Sequence, residues 1–332
     1  MKPTRPEDLL VGENAKRGDI DQPWEQDNQA WWDWYVSLAD NPAPTVPLRA
    51  IPEVNEQVAT GLGAIEADLQ ASYDLSGDDV ARFRHEGFVK LPNVLSADAC
   101  ALLRRAMRSS IEHEFNVKLD GGVQARFLSR ELMWLHDTIL RAYVLSPRIA
   151  GIAARLLEVP AVRLYHDNIL AKEPGCGRTP WHYDDHHFPL DTQDVVTAWI
   201  PAQAIPSDMG PLAFAADIDA HKLVADVPFS KTDTSYDRKV GEIFSARKVP
   251  IHDEAFALGE VSFHHNLCFH TAGPNNTRRS RLVLANTYFA DGSRVVARPT
   301  MVSGDWQKFM PGVGAGEVAD SELNPICWPA ER

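Results

Sequence analysis

The sequence predicts an α+β protein, mainly β, in which a β-sandwich or barrel follows a set of helices. Three observations carry that expectation. Apolar residues recur at helical spacing in the first part of the chain, strict alternation takes over from about residue 160, and no internal repeat interrupts the pattern. With 332 residues, a chain of this size buries roughly 75% of its unfolded surface, ample for a true core.

Residues 1–72 read as an N-terminal extension packed on the core. They are charged at first, then rich in tryptophan (Trp24, Trp31, Trp32, Trp34), then punctuated by Pro42, Pro44, Pro47 and Pro52. Indoles that large rarely stay in water, so the arm is expected to lie on its own domain, with a dimer contact or a pocket wall as sharper alternatives. Residues 73–295 form the main domain. Ser76 and Asp79 resemble a capping box ahead of Val80 and Phe83. Ser96 caps the next helix, whose Leu103, Met107 and Ile111 fall on one apolar face. Val162, Leu164, His166, Asn168 and Leu170 then alternate as a strand does, and Val195–Ile200, Val261–Phe269 and Arg281–Phe289 are further strands. Residues 296–332 are a C-terminal tail.

Composition narrows the function. A formal net charge of −13 has the wrong sign for a nucleic-acid or anionic-membrane binder. No segment approaches the length of an apolar membrane span, so no membrane insertion is expected. The four scattered cysteines, Cys100, Cys176, Cys268 and Cys327, form no CxxC pair, which argues against zinc ribbons and disulfide frameworks and for a cytoplasmic setting. No Walker or GxGxxG element calls for a nucleotide. A small-molecule substrate and a monomer or homodimer are the expected partners.

The histidines carry the chemistry. Six of the twelve, His182, His186, His187, His264, His265 and His270, fall in two short windows, where chance would place about half a residue. On a strand, residues i and i+2 share a face, so His182 and Asp184 can grip one ion together, while Asp185 points away. A second imidazole from a distant strand, as third ligand, completes a 2-His-1-carboxylate face with open positions, the pattern of non-haem Fe(II) oxygenases. A buried, hydrogen-bonded histidine is the ordinary alternative.

These windows, Trp181-His182-Tyr183-Asp184 and His270-Thr271-Ala272-Gly273-Pro274-Asn275 with Arg281 eleven residues after His270, resemble the phytanoyl-CoA dioxygenase family of Fe(II)/2-oxoglutarate oxygenases. LYHDNILAKEPG ahead of TPWHYD, the tryptophan of VVTAWIP, MGPL at 209–212 and the opening LSGDDVARFRHEGFVKLPNVLS match as well, so the likeness covers about residues 75–290. The resemblance implies a double-stranded β-helix (jelly roll, cupin-like) core with flanking α-helices. It implies Fe(II) held by the catalytic trio His182, Asp184 and His270, with 2-oxoglutarate as co-substrate and O2 as oxidant. Arg281 would take the far carboxylate, for which a fixed two-pronged guanidinium is suited. Asn168 and Trp199 would line the co-substrate pocket, and Lys172 matches a K-x-P feature. His270 is favoured as distal ligand because Arg281 follows it at the family spacing, which leaves His264 and His265 as strand-end or core histidines. One departure is the run Ala215–His221, which stands where the family often has Pro-Gly-Ser-His.

Hydroxylation is the default outcome implied. Desaturation, epoxidation or ring rearrangement in secondary metabolism, or a non-oxygenase cupin-like metalloenzyme, are the alternatives. Halogenation is disfavoured because an aspartate occupies position 184. Trp181, His186, His187 and Phe188, with the arm around Trp31 to Tyr35, are the expected substrate walls, suited to an apolar or ring-bearing molecule.

Overall fold

A computed structural model describes residues 28–41, 47–230, 232–298 and 306–329. Trp24, Pro42, Pro44 and the charged start of the N-terminal extension lie outside the described residues. The helices are α1 (Asn28–Ser37), α2 (Leu62–Gln70), α3 (Gly77–Glu86), α4 (Ala97–Phe115), α5 (Thr138–Val144), α6 (Pro147–Leu157), α7 (Ala220–Leu223) and α8 (Ser235–Arg247). The strands are β1 (Phe88–Leu91), β2 (Phe127–Glu131), β3 (Val162–Lys172), β4 (Thr179–His182), β5 (Val195–Pro201), β6 (Leu212–Ala215), β7 (Ile251–His252), β8 (Val261–His265), β9 (His270–Ala272), β10 (Arg281–Ala290) and β11 (Ile326–Trp328).

Local signals set the early helices. The Ser76 hydroxyl accepts the Asp79 N–H and the Asp79 carboxylate returns to the Ser76 N–H, closing the capping box that starts α3. Ser96 accepts from the Ala99 N–H at the start of α4. The strands then form two antiparallel sheets. One runs β1-β8-β5-β10-β3-β11, with β2 added on β3, and the other runs β4-β9-β6-β7. The large sheet is two-faced. Leu282, Leu284 and Tyr288 of β10 pack with Leu103, Met107 and Ile149 from the helices. The alternate residues Val283 and Ala285 meet Leu212, Phe214 and Ala272 of the small sheet. The result is a double-stranded β-helix with helices on one side and an interior shared by the two sheets.

Two strands differ from expectation. The Val261–Phe269 run is not continuous: β8 ends at His265, and the chain crosses to the small sheet, where β9 begins at His270. The Cys268 N–H to His265 carbonyl bond closes the turn. In β3 the register against β10 shifts, with Thr287 opposite His166 but Tyr288 opposite Leu164, so Tyr165 is an extra residue. The bulge flips the phase. Val162 and Leu164 face the helices, whereas Asn168 and Leu170 face the interior with Tyr165 and His166.

Helix α1 lies on the free side of β2. Trp32 stacks on Phe127 at 4.8 Å between ring centres. Gln29 donates to the Phe127 carbonyl at 2.6 Å and accepts the Ser129 N–H at 3.0 Å, standing in for a neighbouring strand. Among the described residues no helix is long and apolar enough to cross a membrane.

Candidate metal centre

Strand pairing brings two histidines together: His182 of β4 stands opposite His270 of β9, with ring centres 4.1 Å apart. Asp184 arrives differently from the strand alternation expected. β4 stops at His182, and Asp184 begins a single helical turn over Asp185–His187. The Asn266 carbonyl pins that turn by accepting the N–H groups of Asp184 at 2.8 Å and Asp185 at 3.0 Å. The Asn266 amide donates to the Asp185 carboxylate at 2.7 Å, which draws Asp185 away from the histidines. Sequence reasoning missed Asn266; its place inside the second histidine window was the available signal.

Nε2 of His182 lies 3.7 Å and Nε2 of His270 3.9 Å from Oδ1 of Asp184, and one ligand atom from each residue lies within 4.8 Å of the others. Hydrogen bonding fixes how the rings present themselves. Nδ1 of His182 is 2.8 Å from the Pro180 carbonyl, and Nδ1 of His270 is 3.0 Å from the Cys268 carbonyl. A carbonyl only accepts, so each Nδ1 carries the proton and each Nε2 turns a lone pair toward the common point. Burial holds both imidazoles below their ordinary pKa, His270 far below, which keeps them in the neutral ligating form. Burial alone raises Asp184, but the facing His270 and a hydrogen bond from His264 outweigh it and hold the carboxyl well below the usual range. Two neutral imidazoles and one carboxylate, oriented through carbonyl partners, fit a divalent transition metal.

The histidine and aspartate atoms open into a cavity that also receives Arg281, Asn168, Trp199, Thr197 and Thr287. Arg281 opens β10 and is 1% exposed. It donates to the Gly210 carbonyl at 2.6 Å, lies 5.2 Å over the Trp199 ring, and leaves Nε without a partner. Burial brings its pKa down to about 10, and no carboxylate opposes that shift. Gly210 has φ of +78°, and a Cβ there would meet the Gly273 carbonyl at 2.5 Å, so the glycine of MGPL lets the backbone reach the guanidinium. Asn168 accepts from Ser129 at 2.7 Å. Lys172 is buried at the end of β3, not solvated in a loop, and donates to the Gly273 carbonyl at 2.7 Å.

The expected substrate walls divide. His187 and Phe188 line the cavity, whereas Trp181 and His186 do not. Trp181 adjoins His182 on a strand, so alternation turns it outward onto Phe244 of α8, 5.5 Å away. His186 lies against Tyr183, with ring centres 5.0 Å apart. From the arm, Trp31, Trp32 and Tyr35 reach the cavity, with Tyr35 edge-on to the His182 ring at 5.5 Å. Tyr165, His166, Trp306 and Phe309 were missed. The first two enter through the bulge and the others from the tail. His264 is no core histidine: it lines the cavity, with Nε2 3.4 Å from Oδ2 of Asp184. His265 faces the other way, near Phe83, and accepts the Leu267 N–H.

The family model described as phytanoyl-CoA dioxygenase (PhyH) matches residues 83–283. No curated protein matches the chain. Among solved structures, the chain is similar to the non-heme alpha ketoglutarate dependent carbocyclase SnoK from nogalamycin biosynthesis, at 25% identity over 76% of this chain and 96% of that one, with a TM-score of 0.60. It is similar to the epimerase SnoN from the same biosynthesis, also alpha ketoglutarate dependent, at 25% identity over 75% and 97%, with a TM-score of 0.58. EctD from S. alaskensis, crystallised with 2-oxoglutarate and 5-hydroxyectoine, shares the fold at 17% identity over 86% and 98%, with a TM-score of 0.57.

Proposed function

Because the chain belongs to the phytanoyl-CoA dioxygenase family, we propose that it is an Fe(II)/2-oxoglutarate-dependent dioxygenase. Its reaction in this reading is hydroxylation of an unactivated C–H bond in a small apolar or ring-bearing molecule. One observation carries the co-substrate. Arg281 is a buried guanidinium on the cavity wall with an unpartnered Nε and no opposing carboxylate. A buried, uncompensated cation is costly, and a dicarboxylate ligand supplies the missing charge.

His182, Asp184 and His270 would hold the iron, their Nε2 lone pairs and carboxylate already directed at one point. When bound, iron(II) with 2-oxoglutarate and O2 supplies the oxidising chemistry, with succinate and CO2 as co-products. The residues do the rest. Arg281 clamps the far carboxylate while Trp199 beneath it keeps that end dry. Asn168 and the hydrogen-bonded Thr197–Thr287 pair offer polar contacts along the same wall. Trp31, Trp32, Tyr35, Phe188, Trp306 and Phe309 give the outer cavity flat apolar walls that exclude water and accept a ring.

The likeness at 25% identity to a carbocyclase and an epimerase supports a second reading, in which the same site closes a ring or inverts one stereocentre. Both readings predict succinate formation that depends on a small-molecule substrate, screened across ring-bearing candidates. Product mass separates them: one added oxygen for hydroxylation, loss of two hydrogens for ring closure, and no change for epimerisation. Absence of a visible charge-transfer band after anaerobic addition of Fe(II) and 2-oxoglutarate would reject the cofactor assignment itself.

A further inference from the structure

We infer that His264 is a positioning residue for Asp184 and not a ligand: its Nε2–H holds Oδ2 of the carboxylate, leaving Oδ1 for the metal. The inference rests on the iron-site reading above. Three imidazoles surround Asp184, and the carboxylate oxygens divide between them. His182 and His270 face Oδ1 at 3.7 and 3.9 Å, whereas His264 faces Oδ2 at 3.4 Å. The rings also come from different sheets, His182 and His270 from the small one and His264 from β8 of the large one. His264 therefore reaches the carboxylate independently of the strand pair that supplies the imidazole ligands.

The tautomers distinguish the two kinds of histidine. His182 and His270 each have an Nδ1 that must donate to a backbone carbonyl, so their Nε2 atoms carry lone pairs. His264 has no such carbonyl. Its Nδ1 is buried and has no partner, and the residue is 2% exposed. Placing the proton on Nδ1 would bury an unpaired N–H and turn an Nε2 lone pair onto an anionic oxygen, so both ends would be unfavourable. Placing it on Nε2 directs an N–H at the anionic Oδ2, 3.4 Å away, and leaves a bare ring nitrogen at Nδ1, the cheaper vacancy. The ring is also constrained in place, with its centre 5.9 Å from that of Phe214 and 4.4 Å from that of His270. Such a donor fixes the carboxylate as a one-oxygen ligand and opposes rotation that would offer both oxygens to the metal.

The test uses manganese(II), an O2-stable probe whose free ion gives a six-line electron paramagnetic resonance signal. In the wild-type protein, titration should show one site that His182→Ala removes; failure there would reject the iron-site reading before His264 is considered. Given that site, His264→Phe should weaken manganese binding ten- to a hundredfold, the usual cost of losing a hydrogen-bond partner behind a ligand. His264→Gln, which keeps an N–H near the same position, should recover most of it. Pulsed resonance on the wild-type complex, which needs no variant, should count two coordinated imidazole nitrogens. Three coordinated imidazoles, or unchanged affinity in a folded His264→Phe protein, would overturn the inference.

Discussion

At the scale of single residues, neighbours in sequence have sharply different surroundings. Asp184 faces three imidazoles, while Asp185 is taken by the Asn266 amide at 2.7 Å. Asp184→Ala should abolish manganese(II) binding, and Asp185→Ala should leave it within a few-fold, as titration of the free-ion signal will show. Arg281→Lys should raise the apparent KM for 2-oxoglutarate ten- to a hundredfold while sparing metal affinity. Losing one charged bond costs about 1.5–3 kcal/mol, at about 1.4 kcal/mol per factor of ten. Arg279→Lys is the control, since Arg279 pairs with Glu53 at 3.2 Å and does not line the cavity. A wild-type KM in Arg281→Lys would reassign the clamp. The family resemblance named His182, Asp184, His270 and Arg281, and all four line one cavity, although a helical turn and not strand alternation brings Asp184 there. His264 was not legible, because alternation tells which residues share a face but not which face is the inner one.

Elements were legible where a local rule governs them. The Ser76 capping box and the Ser96 cap placed α3 and α4 within their first turns, and β5 and β10 matched the β-branched and alternating runs expected there. The break between β8 and β9 and the extra residue at Tyr165 were invisible, since both are set by partners distant in sequence. Helix α1 is held mainly by Trp32 on Phe127 and by Gln29 on the backbone of β2. Trp32→Ala should therefore speed amide hydrogen exchange across residues 28–37 while β5 and β10 stay protected. A rise spread evenly over the whole protein would show that the arm is part of the global folding unit.

Across the whole molecule, buried neutral histidines tie stability to pH. Burial lowers His166 to about 4 and His265 to about 3 from an ordinary 6.5. The unfolded chain therefore binds these protons first as the pH falls. Their stabilising contribution is complete above about pH 6.5 and is lost progressively from there down to about 4 for His166 and 3 for His265, so stability rises with pH through that window. The urea midpoint of metal-free protein should fall between pH 7 and pH 5, and His166→Phe should flatten the slope. Asp167, whose carboxyl burial raises to about 7, pulls the other way over this range, so the deciding comparison is wild type against His166→Phe: identical slopes would contradict the neutral state of His166.

The pairing of β4 has a consequence for how the protein is made. Among the described residues this strand pairs in its sheet with β9 alone, and β9 begins with His270. A nascent chain that has left the ribosome only as far as β8 holds His182 on a strand with no strand partner in its own sheet. The imidazole pair is complete only when β9 arrives, so this His182–His270 arrangement cannot exist before helices α1 to α8 have all been synthesised.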